Sequence, residues 1–347
     1  MTPSAAALDA EEPLAALLDR EFEQRTLARL GSGAAARVPW HQWSKALYEP
    51  LRDFLSRPGK AMRSELVLLT YRVAGGKGTP PAELPLFVEA LHAGSLVIDD
   101  VEDDSEERRG LPALHRIHGV PAALNGGGWL YFWAFELLER VPMPEHARAS
   151  ANRMVTRALR ECHYGQALDL STRLRELEQH EVLGTVQAIS ELKTGGLVAL
   201  ATGLGALLGG ADAELVDEAT RFGREVGVGL QMLDDLSSVT NDRRKQKGHE
   251  DLSQEKPTWP WAWLSVELDA RSFESLSAQL RELPRGAALE QLLGRLRAQL
   301  GPLGRERVRE HLDRAVLRLG QSLPAGASHA PLRHQLERLE RSYGPIS

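Results

Sequence analysis

Apolar residues recur at intervals of three and four positions along most of this 347-residue chain. In one stretch, Leu215, Ala219, Phe222, Val226 and Leu230 fall on a single helical stripe. No run of alternating polar and apolar residues is long enough to indicate a sheet, and β-branched runs are scarce. Leu, Ala, Glu and Arg dominate the composition, and all four favour helices. The pattern therefore predicts an all-α fold.

The predicted helices are separated by short breaks rich in Gly and Pro, such as GGKGTPP at 75–81 and VPMP at 141–144. None of these breaks has the length of a flexible linker. Although chain length alone would favour about two domains, we predict one all-α domain over 39–347, a single large helical bundle. The N-terminal segment 1–38 is expected to be loosely attached.

Bulk composition excludes some classes of function. The 42 basic and 48 acidic residues give a net charge of −6, which offers no basis for binding nucleic acid. Cys162 is the single cysteine, so no internal disulfide can form, and a reducing compartment is expected. The N-terminus has no signal-peptide pattern, and the apolar stretch 196–210 is shorter than a membrane span. We expect a cytoplasmic protein without a membrane span.

A cluster of carboxylates follows the apolar run 86–98. On a helix, Asp99 and Asp103 would share one face about a turn apart, with Asp100 beside them. Carboxylate oxygens are the ligands that Mg²⁺ prefers, and Mg²⁺ commonly shares its shell with substrate phosphates. A solvated acidic surface is the alternative, and DDxxD alone does not decide between the two. The apolar residues that precede the aspartates predict a buried helix and favour the metal site.

A second aspartate pair, Asp234 and Asp235, closes another apolar helix. Two buried helices that each end in paired aspartates are expected to form two walls of one cleft for metal and phosphate. Arginine grips phosphate oxygens in bidentate fashion and lysine acts as a point charge. Basic residues suited to a diphosphate recur along the chain: Lys60, Arg63, Arg108, Arg109, Lys193, Lys247 and Lys256.

Several linked motifs now show a family resemblance. PGKAMRS begins at Pro58, LHAGSLVIDDVEDDSEERRGLPALHRIHG spans 91–119, and GQALDL, LKTGGL, GLQMLDDLSSVTND and EKPTWPWAW follow in order. In these motifs the chain resembles trans-isoprenyl diphosphate synthases of the polyprenyl synthetase family, most closely the geranylgeranyl diphosphate synthases. The resemblance implies a helical bundle around a central cavity, a homodimer, and a prenyltransferase that condenses isopentenyl diphosphate head-to-tail with an allylic diphosphate.

The resemblance also implies roles by position. Asp99 and Asp103 would bind Mg²⁺ from one wall and Asp234 from the other, with Asp100 and Asp235 in support and three Mg²⁺ ions present when substrate is bound. Thr194 and Gln231 would line the reacting carbons, where their oxygen dipoles stabilise a carbocation. The expected ligands of the allylic diphosphate are Arg108, Lys193, Lys247 and Lys256, and those of isopentenyl diphosphate are Lys60, Arg63, His92 and Arg109. The expected catalytic residues are Asp99, Asp100, Asp103, Asp234, Lys193 and Gln231.

Two positions depart from the family pattern. Ser64 stands where the family usually has proline, and we expect it to alter a turn and little else. Ser238 stands in the last place of the second motif, where an aspartate is usual, although eukaryotic-type geranylgeranyl synthases also lack that carboxylate. A non-catalytic partner subunit is therefore an alternative, but such a subunit would be expected to lose aspartates of the first motif. A terpene cyclase or head-to-head enzyme would have no use for an isopentenyl diphosphate site.

Product length is expected to depend on the residues one turn before Asp99. Gly94 and Ser95 are small, and synthases that stop at the fifteen-carbon product commonly carry a bulky aromatic residue there. Small side chains would leave the channel open. The expected product is therefore longer than farnesyl diphosphate, with geranylgeranyl diphosphate as the first choice. Farnesyl or longer polyprenyl diphosphates are the alternatives.

Overall fold

The computed structural model describes residues 14–22, 37–281, 287–324 and 327–343. Within these ranges the ordered elements are helices, apart from one short hairpin in which β1 (Glu107–Arg108) pairs antiparallel with β2 (Leu111–Pro112). The predicted all-α class is confirmed. The described residues form two compact units that interleave along the chain. Unit 1 is drawn from Met1–Glu65 and Thr79–Pro142, and unit 2 from Leu66–Gly78 and Met143–Ser347.

Unit 1 contains the first aspartate cluster. Its elements, besides the hairpin, are α1 (Leu14–Glu21), α2 (Trp40–Trp43), a π-helical turn (Ser44–Tyr48), α3 (Glu49–Leu55), the start of α4 (Met62–Val73), α5 (Glu83–Glu102), α6 (Leu114–His118) and α7 (Val120–Arg140).

The closest packing in unit 1 is between α5 and α7. A Cβ atom added to Gly94 of α5 would lie 2.8 Å from the carbonyl oxygen of Gly127 on α7, and one added to Gly127 would lie 2.7 Å from Cγ1 of Ile98. Glycine at both positions lets the two backbones approach, and Val97 and Leu130 are fully buried nearby. This contact fixes the helix that carries Asp99.

Part of the predicted N-terminal segment packs against other helices of unit 1. Leu18 on α1 is fully buried, and the phenolic hydroxyl of Tyr48 donates to Asp19 Oδ1 at 2.9 Å. Arg140 Nη1 donates to Glu21 Oε1 at 2.7 Å. Residues 1–13 and 23–36 lie outside the described ranges, so the boundary at residue 38 and the single domain over 39–347 stay predictions.

Unit 2 contains the second aspartate pair, on α11. Its helices, after the rest of α4, are α8 (Glu145–Ser171), α9 (Gln179–Ile189), α10 (Gly196–Leu208), α11 (Ala213–Thr240), α12 (Lys245–Ser253), α13 (Trp259–Glu267), α14 (Ala270–Arg281), α15 (Ala287–Ser322) and α16 (Ala330–Ser342), with 3₁₀ turns at Leu174–Glu176 and Asp242–Arg244.

A π-helical turn, Ser190–Gly195, joins α9 to α10 in one continuous helix. The whole helix, Gln179–Leu208, is 30 residues long and is the one helix among the described residues that could cross a membrane by length and composition. The apolar stretch at 196–210 therefore belongs to a longer helix than the sequence suggested. Since 67% of its most apolar window is buried within the protein, its composition also suits a core helix. The cytoplasmic location stays a prediction.

Candidate active site

One face of α5 carries most of the first predicted site. His92, Ser95, Asp99 and Asp103 are all partly exposed, whereas Asp100 is fully buried. The exposed positions follow the spacing of one helical stripe. Helix α5 ends at Glu102, and the amide of Asp103 donates to the carbonyl of Asp99 at 2.8 Å. Asp99 and Asp103 therefore share a face about a turn apart, in the geometry that their spacing predicts.

Asp100 binds an arginine inside unit 1. Arg108 Nε and Nη2 both donate to Asp100 Oδ1, at 2.8 and 2.5 Å, and Arg108 Nη2 lies 3.5 Å from Asp99 Oδ2. Burial raises the pKa of Asp100, against the opposing effect of Arg108. The buried carboxylate thus fixes the guanidinium of Arg108 beside Asp99, and Asp99 keeps the more exposed carboxylate of the pair.

A cationic cluster surrounds His92. Desolvation by the surrounding protein atoms, together with the neighbouring guanidinium groups of Arg63, Arg109 and Arg108, lowers the pKa of His92 well below its usual value. The imidazole is therefore neutral near pH 7 and can donate one hydrogen bond and accept another. The structure brings together three of the residues predicted to bind isopentenyl diphosphate, while Lys60 is exposed on the segment before α4. Their role as ligands stays a prediction.

Ser64 does more than alter a turn. It is buried in the first turn of α4, and its amide and its hydroxyl both donate to Glu89 Oε1, at 3.2 and 2.9 Å. A carboxylate at a helix N-terminus is favourable because it binds amides that lack a partner within the helix. Proline at this position would have neither donor. Ser64 therefore ties the turn that carries Arg63 to helix α5, which carries His92.

The two residues predicted to set product length have different surroundings. The Cβ direction of Gly94 points at the backbone of α7, where a side chain would meet Gly127 and Leu130. Ser95 is partly exposed on the same stripe as Asp99, and its hydroxyl donates to the carbonyl of His92 at 2.8 Å. The geometry favours Ser95 over Gly94 as the residue beneath Asp99, and the effect of either on product length stays a prediction.

In unit 2, the π-helical turn at Ser190–Gly195 carries Lys193 and Thr194. Such turns are uncommon and frequently lie at functional sites. The Nζ atom of Lys193 lies 2.6 Å from Asp169 Oδ2, and the Nζ atom of Lys256 lies 3.3 Å from the same oxygen. Asp169, which belongs to the GQALDL motif, therefore gathers two of the lysines predicted to bind the allylic diphosphate.

A chain of hydrogen bonds orients Gln231. The hydroxyl of Thr194 donates to Gln231 Oε1 at 2.8 Å, and Gln231 Nε2 donates to Asp235 Oδ1 at 2.7 Å. The other oxygen of Asp235 accepts from the amide of Trp259 at 2.9 Å. Burial raises the pKa of Asp235 to about 7. Asp235, like Asp100, is thus a buried acceptor that holds neighbouring groups in place.

Asp234 is the more accessible aspartate of the second pair. Its Oδ2 binds the ammonium of Lys247, and its Oδ1 lies 2.7 Å from Arg244 Nη2. Although burial opposes the shift, the charges of Lys247 and Arg244 lower the pKa of Asp234 well below its usual range. The group is therefore a carboxylate near pH 7, next to two cations. A metal-bound diphosphate could replace this ion pair, because the metal ion would neutralise Asp234 and the phosphate would neutralise Lys247.

Ser238, one turn after Asp234 on α11, is buried. Its hydroxyl donates to the carbonyl of Asp235 at 2.8 Å, within helix α11. Gly248 of α12 packs directly on it, since a Cβ atom there would lie 2.4 Å from the Ser238 carbonyl oxygen. The place of the usual third aspartate is therefore covered by backbone in this conformation. Its replacement by serine removes a carboxylate that would have been buried.

The carboxylates of the two aspartate pairs would fit Mg²⁺ only if a substrate phosphate completed the shell of the ion. Among the described residues, no group of three or more His, Cys, Asp or Glu side chains is placed to hold a metal ion. Asp99 and Asp103 supply two carboxylates on one face, and Mg²⁺ usually takes one or two carboxylates and completes its shell with water and substrate phosphates. That Asp99 and Asp234 line one cleft stays a prediction.

Sequence reasoning missed two arginines. Arg244 pairs with Asp234, and Arg57 is buried against the hairpin that carries Arg108. Arg244 lies in the basic run 242–248, and Arg57 directly precedes the PGK motif. Both arginines lie next to motifs of the family, which is the one sequence signal that could have indicated a role. Whether a guanidinium is buried and paired depends on the folded structure.

Comparisons with known proteins identify a family and similar folds. The sequence pattern of the family described as Polyprenyl synthetase matches residues 44–282, more than half of the chain and inclusive of both aspartate pairs. A geranylgeranyl diphosphate synthase from Methanosarcina mazei is 32% identical over 195 residues, covering 56% of this chain and 59% of that protein. A geranylgeranyl pyrophosphate synthase from Geoglobus acetivorans is 28% identical over 281 residues, covering 79% of this chain and 84% of that protein.

The chain thus spans less than two thirds of the length of the first of these relatives. The fold is also similar to that of a polyprenyl synthase from Caulobacter crescentus, whose crystal structure is complexed with calcium and isoprenyl diphosphate. The TM-score is 0.69 at 22% identity, and the match covers 96% of this chain and 95% of that one.

Proposed function

The chain belongs to the polyprenyl synthetase family, and we propose that it is a trans-prenyltransferase that condenses isopentenyl diphosphate head-to-tail with an allylic diphosphate. One observation carries this proposal. Each unit holds an aspartate pair at or near a helix end, and in each pair the accessible carboxylate, Asp99 or Asp234, lies beside cationic groups. A diphosphate is bound by metal ions, which carboxylates hold, and by arginine and lysine side chains close to them. We propose that each pair takes part in binding a metal-bound diphosphate.

Cations beside the aspartates would stabilise the leaving group. In the proposed reaction, the allylic C–O bond breaks to give a carbocation and pyrophosphate, and the π electrons of isopentenyl diphosphate form the new C–C bond. A proton then leaves, to the departing pyrophosphate. Arg108 and Lys193 are fixed by Asp100 and Asp169, so they can neutralise the developing charge without reorganising. Bound Mg²⁺ would supply further neutralisation of that charge.

The carbocation would be stabilised by fixed dipoles. Gln231 is held by Asp235 at its amide nitrogen, which directs its carbonyl oxygen toward Thr194. We propose that these two oxygens face the reacting carbons. No side-chain nucleophile takes part, because the attacking electrons belong to the substrate double bond.

Asp99, Asp103 and Asp234 are the proposed magnesium ligands, and we propose three ions with substrate bound. Support comes from the related Caulobacter structure, which is complexed with calcium and isoprenyl diphosphate. Both named relatives are geranylgeranyl diphosphate synthases, and Ser95 is small. These points favour geranylgeranyl diphosphate as the product.

Purified protein with Mg²⁺, isopentenyl diphosphate and a dimethylallyl, geranyl or farnesyl diphosphate primer is expected to form longer prenyl diphosphates. The products are identified by mass after dephosphorylation, and parallel reactions with EDTA should give none, because the leaving group would lack its metal. Failure to extend any of the three primers would contradict the proposed activity. A product that stops at fifteen carbons would contradict only the chain length.

We also propose that the protein is a homodimer. An apolar stripe on α7 is exposed, with Phe132 74% and Leu124 44% accessible and Phe135 and Val120 near them. Exposed apolar stripes of this kind mark protein interfaces.

Size-exclusion chromatography with light scattering is expected to give twice the chain mass. Phe132→Lys should shift the population to monomer, because a charge at the centre of an apolar contact is costly to bury. Val266→Lys, a matched change at a residue that is 54% exposed in unit 2, should leave the dimer intact. A wild-type monomer, or equal effects of the two substitutions, would contradict this interface.

A further inference from the structure

We infer that Arg57 is a positioning residue that locks the Arg108–Arg109 hairpin to the PGK segment of unit 1. The inference deepens the proposed function and rests on it for the identity of the ligands, because Arg108 and Arg109 are the proposed contacts to the two diphosphates. The clamp itself consists of contacts within unit 1 and can be tested separately.

Arg57 is an interior arginine. It is only 4% exposed, and its Nη1 donates to two carbonyl oxygens of the hairpin, that of Arg108 at 3.1 Å and that of Pro112 at 3.0 Å. Its Nη2 lies 2.8 Å from Asp53 Oδ2, which neutralises its charge. The two carbonyls lie on opposite strands of the hairpin. One guanidinium therefore holds both strands at once.

The contact is reciprocal. Arg109 Nη1, in the hairpin, donates to the backbone carbonyl of Arg57 at 3.2 Å. Arg57 therefore binds the hairpin through its side chain and is bound by the hairpin through its backbone. Both guanidinium groups also lie over the ring of Phe54, at 5.8 Å for Arg57 and 5.4 Å for Arg109. Gly59 allows the approach, since a Cβ atom there would lie 3.2 Å from Arg109 Nη2. The segment that leads to Lys60 and the hairpin are thus interlocked through paired contacts.

The hairpin needs such a restraint because it is short and strained. Each strand has two residues, and two-stranded hairpins are marginally stable by themselves. Arg109 has a φ of 57°, a left-handed conformation that is unfavourable for a residue with a side chain. The hairpin therefore depends on neighbouring groups. Asp100 holds the side chain of Arg108, and Arg57 holds its carbonyl.

Lysine cannot reproduce this arrangement. A guanidinium presents its donors in a rigid planar fork, whereas an ammonium is a single point of charge on a flexible stem. A lysine at position 57 would keep the charge next to Asp53 and could still bind one carbonyl. Its nitrogen lies one bond short of the positions of Nη1 and Nη2, so it could not reach Asp53 and both strands together. The clamp therefore predicts that Arg57→Lys preserves the fold but loosens the hairpin.

The test uses the full-length protein and three variants. Arg57→Lys keeps the charge, Arg57→Met keeps the length of the side chain without donors, and Arg140→Met removes a different arginine of unit 1 that pairs with Glu21. Hydrogen–deuterium exchange is measured for the peptide that contains the hairpin amides and for Ala113, whose amide donates to Glu106. Steady-state kinetics give KM for each diphosphate and kcat.

Both Arg57 variants are expected to raise exchange in the hairpin and to raise KM for each diphosphate about tenfold, the scale of one lost charge-assisted hydrogen bond. Arg140→Met should change neither. Unchanged hairpin exchange in Arg57→Lys and Arg57→Met would overturn the clamp. Faster exchange with KM and kcat both unaltered would overturn the positioning role. If the wild-type protein elongates no primer, the proposed function fails, and the exchange result alone decides whether the clamp exists.

Discussion

Asp99→Asn is expected to lower kcat about 10³-fold, the upper range for loss of one electrostatic contact to a developing charge. Asp99 is the accessible aspartate of the first pair, and its side chain is 20% exposed on the stripe that also carries Asp103. Asparagine keeps the shape but binds Mg²⁺ weakly, because it carries no charge. Since Arg108 is held mainly by Asp100, the substitution should leave the fold and the melting temperature nearly unchanged.

The matched control is Asp104→Asn, in the same acidic cluster. Asp104 is 80% exposed and pairs with Arg116 at the surface. Its φ is 52°, a conformation that asparagine tolerates as well as aspartate. This variant should retain activity within about twofold, since surface ion pairs contribute little. Single-turnover kinetics at saturating Mg²⁺ separate the chemical step from binding. Full activity in Asp99→Asn, or equal losses in both variants, would refute the assignment of Asp99 as a metal ligand.

Gly94→Phe is expected to lower stability by about 3 kcal/mol or more, at the high end for overpacked cores. Even a Cβ atom at this position would lie 2.8 Å from the carbonyl oxygen of Gly127 and 3.2 Å from Leu130 Cβ. The nearest atom is backbone on a neighbouring helix, so it cannot move aside as a flexible side chain would. Chemical denaturation, followed by circular dichroism, measures the loss. Unchanged stability would show that α5 and α7 can separate at this crossing.

Ser95→Phe is the companion variant because Ser95 lies on the accessible stripe beneath Asp99. It is expected to fold normally and to shorten the product, with fifteen carbons as the expected limit. Ser95→Ala removes only the hydrogen bond to the carbonyl of His92 and should leave product length unchanged. If Ser95→Phe folds and its product does not change, length control lies elsewhere. Comparison of the two phenylalanine variants separates a packing defect from a change in the channel.

The two aspartate pairs explain how far sequence reasoning could go. The spacing of Asp99 and Asp103 predicted a shared face, and the structure shows that face. The sequence has two adjacent aspartates in each motif, and it could not show that one aspartate of each pair is buried and the other accessible. Asp100 and Asp235 are buried and accept hydrogen bonds from Arg108, Gln231 and the Trp259 amide. Their neighbours Asp99 and Asp234 remain accessible.

The roles of Gly94 and Ser64 could not be predicted from the sequence. The spacing from Asp99 predicted a small residue at Gly94, but the atoms that a side chain there would meet belong to whichever helix packs against α5. Ser64 was expected to alter a turn, yet its two hydrogen bonds to Glu89 join α4 to α5. Both roles involve a partner that is distant in sequence, so no local pattern could predict them.

The sequence by itself determined the helical class, the placement of carboxylates and cations at particular turns, and the family, because helical periodicity and motif spacing are local properties of the chain. Only the tertiary structure decided which charged groups are buried, which are held by partners, and which stay accessible. Desolvation is the physical reason. Two identical aspartates, adjacent in sequence, differ in exposure and role according to whether a neighbouring helix or hairpin covers them. Asp99 stays accessible, whereas Asp100 is buried against Arg108, and burial raises the pKa of Asp100.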